Sequence, residues 1–290
     1  LPALPSERLM PSFDVTRSRF RLSDDDVLVL ARLATGRPVP ESMAPAAARL
    51  RDCGLTNDAG ELSALLLPLM RTLVQPSVIV SLEAGGRQGT LHHGLLIGED
   101  HVVRHETWPG QEEAEYRLAE PRTVVWTLAD LVGLRQSEVA GPGEEEVVET
   151  TVGALEAGLA ALEKAAGTPG ADERTAVTAA LGEAGATDAV AARLAELVVE
   201  LRSNWRMTAA WQGQEDGVRG VAARTVAAWD CGPLGTWLRE LPAEPMAEGG
   251  ADAGSPFRLR RVAPKRIWQE LTSLLPDATE LVREPALPQA

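Results

Sequence analysis

The chain has 290 residues, of which 44% are hydrophobic, so it can bury a substantial core as one large or two ordinary domains. Its 42 acidic residues outnumber 28 basic ones for a formal charge of -14. That surface repels a polyanion, which argues against nucleic acid as a partner. Cys53 and Cys231 lie far apart and form no zinc or redox spacing, so two reduced thiols are expected and no disulfide framework.

Residues 1–8 contain no basic region followed by a sustained apolar run, and so do not read as a signal peptide. The longest apolar stretch, around residues 62–74, is broken by Pro68 and Arg71 and is too short to span a bilayer. A soluble cytoplasmic protein without membrane insertion is the expectation.

Ser23 is placed to cap a helix whose first turn, Asp24-Asp25-Asp26, suits the positive end of the helix dipole. Its expected core stripe is Val27, Leu30, Ala31 and Ala34. Residues 45–53 form a short helix stopped at Gly54, and residues 56–60 a turn. A helical period over residues 61–75 offers Leu62, Leu65, Leu66, Leu69 and Leu73 to the core, with Pro68 as a kink or as the true start.

Residues 77–134 are read as strands closing on a helix. Val78, Val80 and Leu82 share one face of the first strand, and a hairpin turn follows at Gly85-Gly86. Residues 91–97 and 101–107 continue the sheet. Residues 122–126 read as its last strand, with Thr127 and Asp130 as a reciprocal cap for the next helix.

Residues 141–146 look like a linker between halves. Val148, Val152, Leu155, Leu159 and Leu162 then recur at the four-three spacing of a helix seam. Further helices are expected over residues 173–184 and 189–203. The strand pattern then returns. Trp205, Met207, Ala209 and Trp211 fall on one face, with Arg206, Thr208 and Gln212 on the other. Strands over residues 221–229, 236–240 and 257–262 lead to Pro264, a favoured first-turn residue, and a helix carrying Ile267, Trp268, Leu271 and Leu274. Residues 241–255 lack periodicity and read as a long loop. The same order of elements therefore occurs twice, in residues 1–140 and 141–290, as two units or as one continuous quasi-twofold domain.

No nucleophile elbow, Walker loop, dinucleotide fingerprint or zinc-protease helix is present. Gly85 to Gly89 lacks the ending of a phosphate loop and precedes a strand, so a hairpin explains it better. The four histidines share one window. If Gly98-Glu99-Asp100 closes a three-residue hairpin, His93, His101 and His105 share a sheet face and could hold zinc, although no carboxylate is placed behind them. Arg258, Arg260, Arg261, Lys265 and Arg266 could meet an acidic partner or protect an edge strand. Trp211-Gln212-Gly213 matches the W-x-G signature of small secreted helical hairpins, but lies at a strand end.

Several stretches together resemble the EspG family, the cytosolic specificity chaperones of type VII (ESX) secretion. They are the helix of residues 22–33, Arg49 to Leu55, the Gly60-Glu61-Leu62 start, residues 75–82, and residues 257–264 leading to Leu271. The resemblance implies an α+β fold of two quasi-twofold halves, with a twisted antiparallel sheet and a helical bundle. It also implies a chaperone for helical secretion substrates, with no catalytic residues and no cofactor. The corresponding partner surface would comprise Glu83, Arg87 and Gln88 in the first hairpin and Arg193, Glu196 and Glu200 on the helix of residues 189–203. The alternative is a metal-binding enzyme or sensor built on His93, His101 and His105.

Overall fold

The computed structural model describes residues 11–86, 89–134, 146–215, 218–241 and 252–282. A short strand, β1 (Ser12–Asp14), precedes β2 (Arg19–Ser23), α1 (Asp24–Ala34), α2 (Ala44–Asp52) and α3 (Leu67–Val74). A meander follows: β3 (Val78–Gly86), β4 (Gly89–Ile97), β5 (Val102–Glu106) and β6 (Glu113–Ala119), ending in α4 (Val124–Leu131). The chain then repeats that plan with β7 (Val147–Thr151), α5 (Val152–Ala166), α6 (Glu173–Glu183) and α7 (Asp188–Val199). The second meander is β8 (Ser203–Glu215), β9 (Val218–Asp230), β10 (Thr236–Glu240) and β11 (Pro256–Val262), ending in α8 (Pro264–Leu274). All strands join one antiparallel sheet in the order β1-β2-β6-β5-β4-β3-β8-β9-β10-β11-β7. Reading outward from the β3–β8 junction, the two halves have the same order, and β1 is an addition at one edge.

The fold is therefore α+β, with its quasi-twofold axis through the sheet between β3 and β8. On one face, Val78, Val80, Leu82, Trp205, Met207, Ala209 and Trp211 are buried beneath α4 and α8, which contribute Leu128, Ile267 and Leu271. The equivalent helices touch through Trp126 and Trp268, whose ring centroids are 4.5 Å apart edge to face. Trp211 belongs to this core and carries the Arg224 guanidinium over its ring at 5.1 Å, so the W-x-G triplet here is a packing feature.

Among the described residues, helices cover the opposite face at its flanks. Over β5, β6 and β2, α1 to α3 close a core containing Leu22, Leu30, Leu50, Leu69, Val103 and Tyr116. Over β10, β11 and β7, α5 to α7 close another, around Leu181, Leu194, Trp229, Trp237 and Phe257.

Local chemistry sets the boundaries. Ser23 caps α1 as expected: its hydroxyl accepts the Asp26 N–H while the Asp26 carboxylate accepts the Ser23 N–H. Val29 and Asp26 are buried on α1, whereas Ala34 is exposed, so the core stripe is rotated from the expected one. Pro68 marks the true beginning of α3, after a single 3-10 turn over Ala64–Leu66. Leu65 is exposed, and Met70 takes a core position instead.

Two expectations fail for identifiable reasons. The β-branched run in residues 122–126 reads as a strand but forms a 3-10 turn and the start of α4. Thr127 lies inside that helix, donating to the Thr123 carbonyl, and does not cap it. The missing strand is β6, whose Ala114, Tyr116 and Leu118 alternate with Glu113, Glu115 and Arg117. Charged residues on its second face hid the period-two signal. Likewise, Val148 sits in β7 and not on the following helix, and Leu159 is exposed. Leu155 is buried as expected, together with Ala154, Gly158 and Ala165 of α5, and a Cβ at Gly158 would stand 3.0 Å from Leu181.

One buried cation ties α4 to the sheet. Arg104, with its side chain 10% exposed, donates to Asp130 of α4 at 2.6 Å and to Glu106 at 2.9 Å. Arg104→Met is expected to cost about 2–3 kcal/mol, because Glu106 keeps its charge without its cation while Asp130 remains solvated. Urea denaturation of the variant measures this, and a change below about 0.5 kcal/mol would contradict it.

Candidate partner-binding groove

Between the two helical flanks, β3, β8 and β9 present one face that no helix among the described residues covers. Strand register places its residues in rows. The first row is Leu96, Ile79, Ala210 and Ala223. The next is Gly94, Ser81, Thr208 and Thr225, in which the two threonine hydroxyls are 3.0 Å apart. The third is His92, Glu83, Arg206, Ala227 and Arg239. Successive rows are about 7 Å apart along the strands. The floor thus passes from apolar through hydroxyl to charged. Ile79 is 48% exposed at its centre, although its neighbours Val78 and Val80 are buried on the other face. Beyond the apolar row, β8 and β9 run past the start of β3, where Val221 is 72% exposed.

At the charged end lies an open pocket of 580 Å³. It is lined by Ala84, Gly85 and Gly86 of β3, Gly89 and Leu91 of β4, and residues 199–203 where α7 passes into β8. Gly86 pairs with both Gly89 and Ser203, which brings the first hairpin beside the end of α7. A Cβ at Gly85 would stand 2.4 Å from Oδ1 of Asn204, so glycine permits this close approach.

The expected partner residues distribute unevenly over this surface. Glu83 is on the groove floor and exposed, directly across from Arg206. Arg87 and Gln88 lie outside the described residues. Glu200 lines the pocket. Arg193 and Glu196 are engaged elsewhere: Arg193 donates to Glu146 at 2.6 and 2.7 Å and to Glu196 at 2.8 Å, and sits 5.4 Å over Trp237. Glu196 also pairs with Arg174 at 3.3 Å. These contacts fasten α7 to α6 and to the residue preceding β7. Ile79, Arg239 and Thr225 were missed as floor residues. The alternation that exposes Arg206 and Thr208 would have found Ile79, which is out of phase with the buried Val78 and Val80.

The histidine window does not form the expected site. Ile97 pairs with Val102 and Gly94 with His105, so the connecting loop is one residue longer than the expected hairpin. A one-residue shift moves every side chain to the other face. His93 shares the face of Leu82, whereas His105 lies on the opposite face, 5.0 Å from the Tyr116 ring. His101 belongs to the loop. Among the described residues, no group of three His, Cys, Asp or Glu could hold a metal ion. The basic cluster is also committed, for Arg258 and Arg260 pair with Glu240 and Arg266 pairs with Glu270. Its strand, β11, is internal, between β10 and β7, so edge protection does not explain it.

Burial holds both His93 and His105 below the ordinary histidine range, and His93 accepts the Thr107 N–H at Nδ1, 3.2 Å away. The unfolded chain then binds more protons than the folded one as pH falls below about 6.5. Stability should therefore be full above that value and decline below it, until the lower folded-state pKa is passed. Urea midpoints at pH 7.5 and 5.5 test this, and His105→Phe should reduce the difference between them.

Two flanking helical bundles on one face of a quasi-twofold antiparallel sheet, with a helix pair on the other, constitute the α+β fold of EspG-type chaperones. The chain is similar to the Mycobacterium tuberculosis type VII secretion system chaperone EspG5, solved in complex with a PE25–PPE41 dimer. The TM-score is 0.55 over 91% of this chain and 100% of that one, at 13% sequence identity. No protein-family model matches the chain, and no curated protein matches it. Among the described residues, no helix is long and apolar enough to cross a membrane.

Proposed function

We propose that this protein is a non-enzymatic cytoplasmic chaperone that binds helical substrates of a type VII secretion system, without a cofactor. The observation that carries this reading is the uncovered face of β3, β8 and β9, where Ile79 stands 48% exposed between two helical flanks. The apolar row of this face, with Ile79 half exposed, is costly to leave in water, and a partner helix laid along it recovers that cost. Similarity of fold to EspG5, itself solved with a PE25–PPE41 dimer, supports a protein occupant. The hairpin around Glu83, Arg87 and Gln88 and the Glu200 end of α7 would border that occupant. Arg193 and Glu196 would act through the position of α7.

The test is a pull-down of the tagged full chain from its native cytosol, with bound proteins identified by mass spectrometry. Small helical secretion substrates are expected. Recovery of none, with the chain folded and soluble, would overturn the reading.

A further inference from the structure

Most arginines that the sheet presents are matched by acids. Arg19 pairs with Glu115 at 3.1 Å, Arg104 with Glu106 and Asp130, Arg224 with Glu280, and Arg258 and Arg260 with Glu240. The third row of the groove floor departs from this pattern. Arg206 and Arg239 flank Ala227 on adjacent strands, and among the described residues neither has an ion-pair partner. Even Glu83, in register beside Arg206, makes no ion pair with it.

Their backbones are separated by two strand spacings, about 10 Å. Ala227, itself buried at 6% exposure, places only a methyl group between them, so no bulky side chain of β9 separates the two guanidinium groups from a shared ligand. Arg239 is half-buried, with its guanidinium 5.0 Å over the Phe257 ring, an arrangement that holds the planar group in place. Burial and the neighbouring Arg206 charge both disfavour its protonated form. Two cations on one row that form no ion pair among the described residues, even with Glu83 beside Arg206, make a site complementary to a well-placed anion.

We propose that Arg206 and Arg239 form a carboxylate-binding subsite at the charged end of the groove, which receives an acidic side chain of the helical partner. This rests on the chaperone reading above. The floor then fixes the direction of a bound helix: its apolar residues meet Ile79, Ala210 and Ala223, and its acidic residue lies two rows away, over the two guanidinium groups. The planar forks suit a carboxylate bidentately. The subsite also supplies selection, because an acidic protein otherwise repels an acidic partner, and a helix with its carboxylate elsewhere loses this contact.

The test compares the full chain with Arg206→Gln, Arg206→Glu and Arg206→Gln/Arg239→Gln in capture of the substrates that the wild-type protein recovers from cytosol. Arg206 is exposed, so its single variants should fold, and urea midpoints verify this. Capture should fall roughly tenfold in the double variant and further in Arg206→Glu than in Arg206→Gln. The wild type should also lose capture with rising salt more steeply than the double variant. Undiminished capture by folded Arg206→Glu and by the double variant would overturn the subsite and leave the chaperone reading standing. Failure of the wild type to capture any helical secreted protein would overturn both.

Discussion

Ile79→Arg is expected to lower affinity for helical substrates by at least about 30-fold, roughly 2 kcal/mol, while leaving the fold intact. The side chain is nearly half exposed at the middle of the groove floor, so arginine can extend into water and the sheet loses little. A partner helix lying on β3 would instead have to bury that guanidinium against its own apolar residues, with no acid placed to receive it. The neighbouring Val80 is the contrasting position: it is buried under α4 and α8, and substitution there should damage folding before binding can be assessed. Binding titrations with a substrate recovered by pull-down, alongside urea denaturation, separate the two effects. An unchanged affinity for Ile79→Arg would remove the sheet face from the partner surface.

Trp237→Ala should be among the most destabilising single substitutions in the second half, at about 3–5 kcal/mol. The indole is fully buried between β10 and α5 to α7, its N–H donates to the Leu234 carbonyl at 3.2 Å, and Arg193 lies over its ring. Removing it leaves a cavity and takes away the surface on which Arg193 rests. Arg193 in turn holds Glu146, so the start of β7 should loosen with it. Urea denaturation measures the loss, and hydrogen exchange should show it concentrated in α7 and β7. A cost below about 1 kcal/mol would mean that the flank repacks around the vacancy.

The repeat was legible because it is written in apolar periodicity. Val78, Val80 and Leu82 in one half and Trp205, Met207, Ala209 and Trp211 in the other face the same core, as alternation requires. Ser23 followed by three aspartates marked the start of α1, and Pro68 and Pro264 marked two further helix starts. Propensity misled where it competed with tertiary packing. Val124-Val125 favours a strand in isolation, yet α4 forms because its Leu128 and Ala129 complete the core beneath the sheet. β6 was obscured by its charged second face, whose Glu115 pairs with Arg19 of the neighbouring strand.

By itself, the sequence determined the doubled order of elements and the inward faces of the long central strands, because each depends on residues a few positions apart, while the α+β class came from the resemblance. The tertiary structure alone decided strand order and register, which depend on partners far along the chain. Register set His93 and His105 on opposite faces, so a shift of a single residue takes apart the shared histidine face expected from the sequence. Strand order put β3 beside β8, so that the outward residues of two distant segments became one groove. It also set Arg206 and Arg239 on either side of Ala227, a juxtaposition that no spacing in the chain encodes.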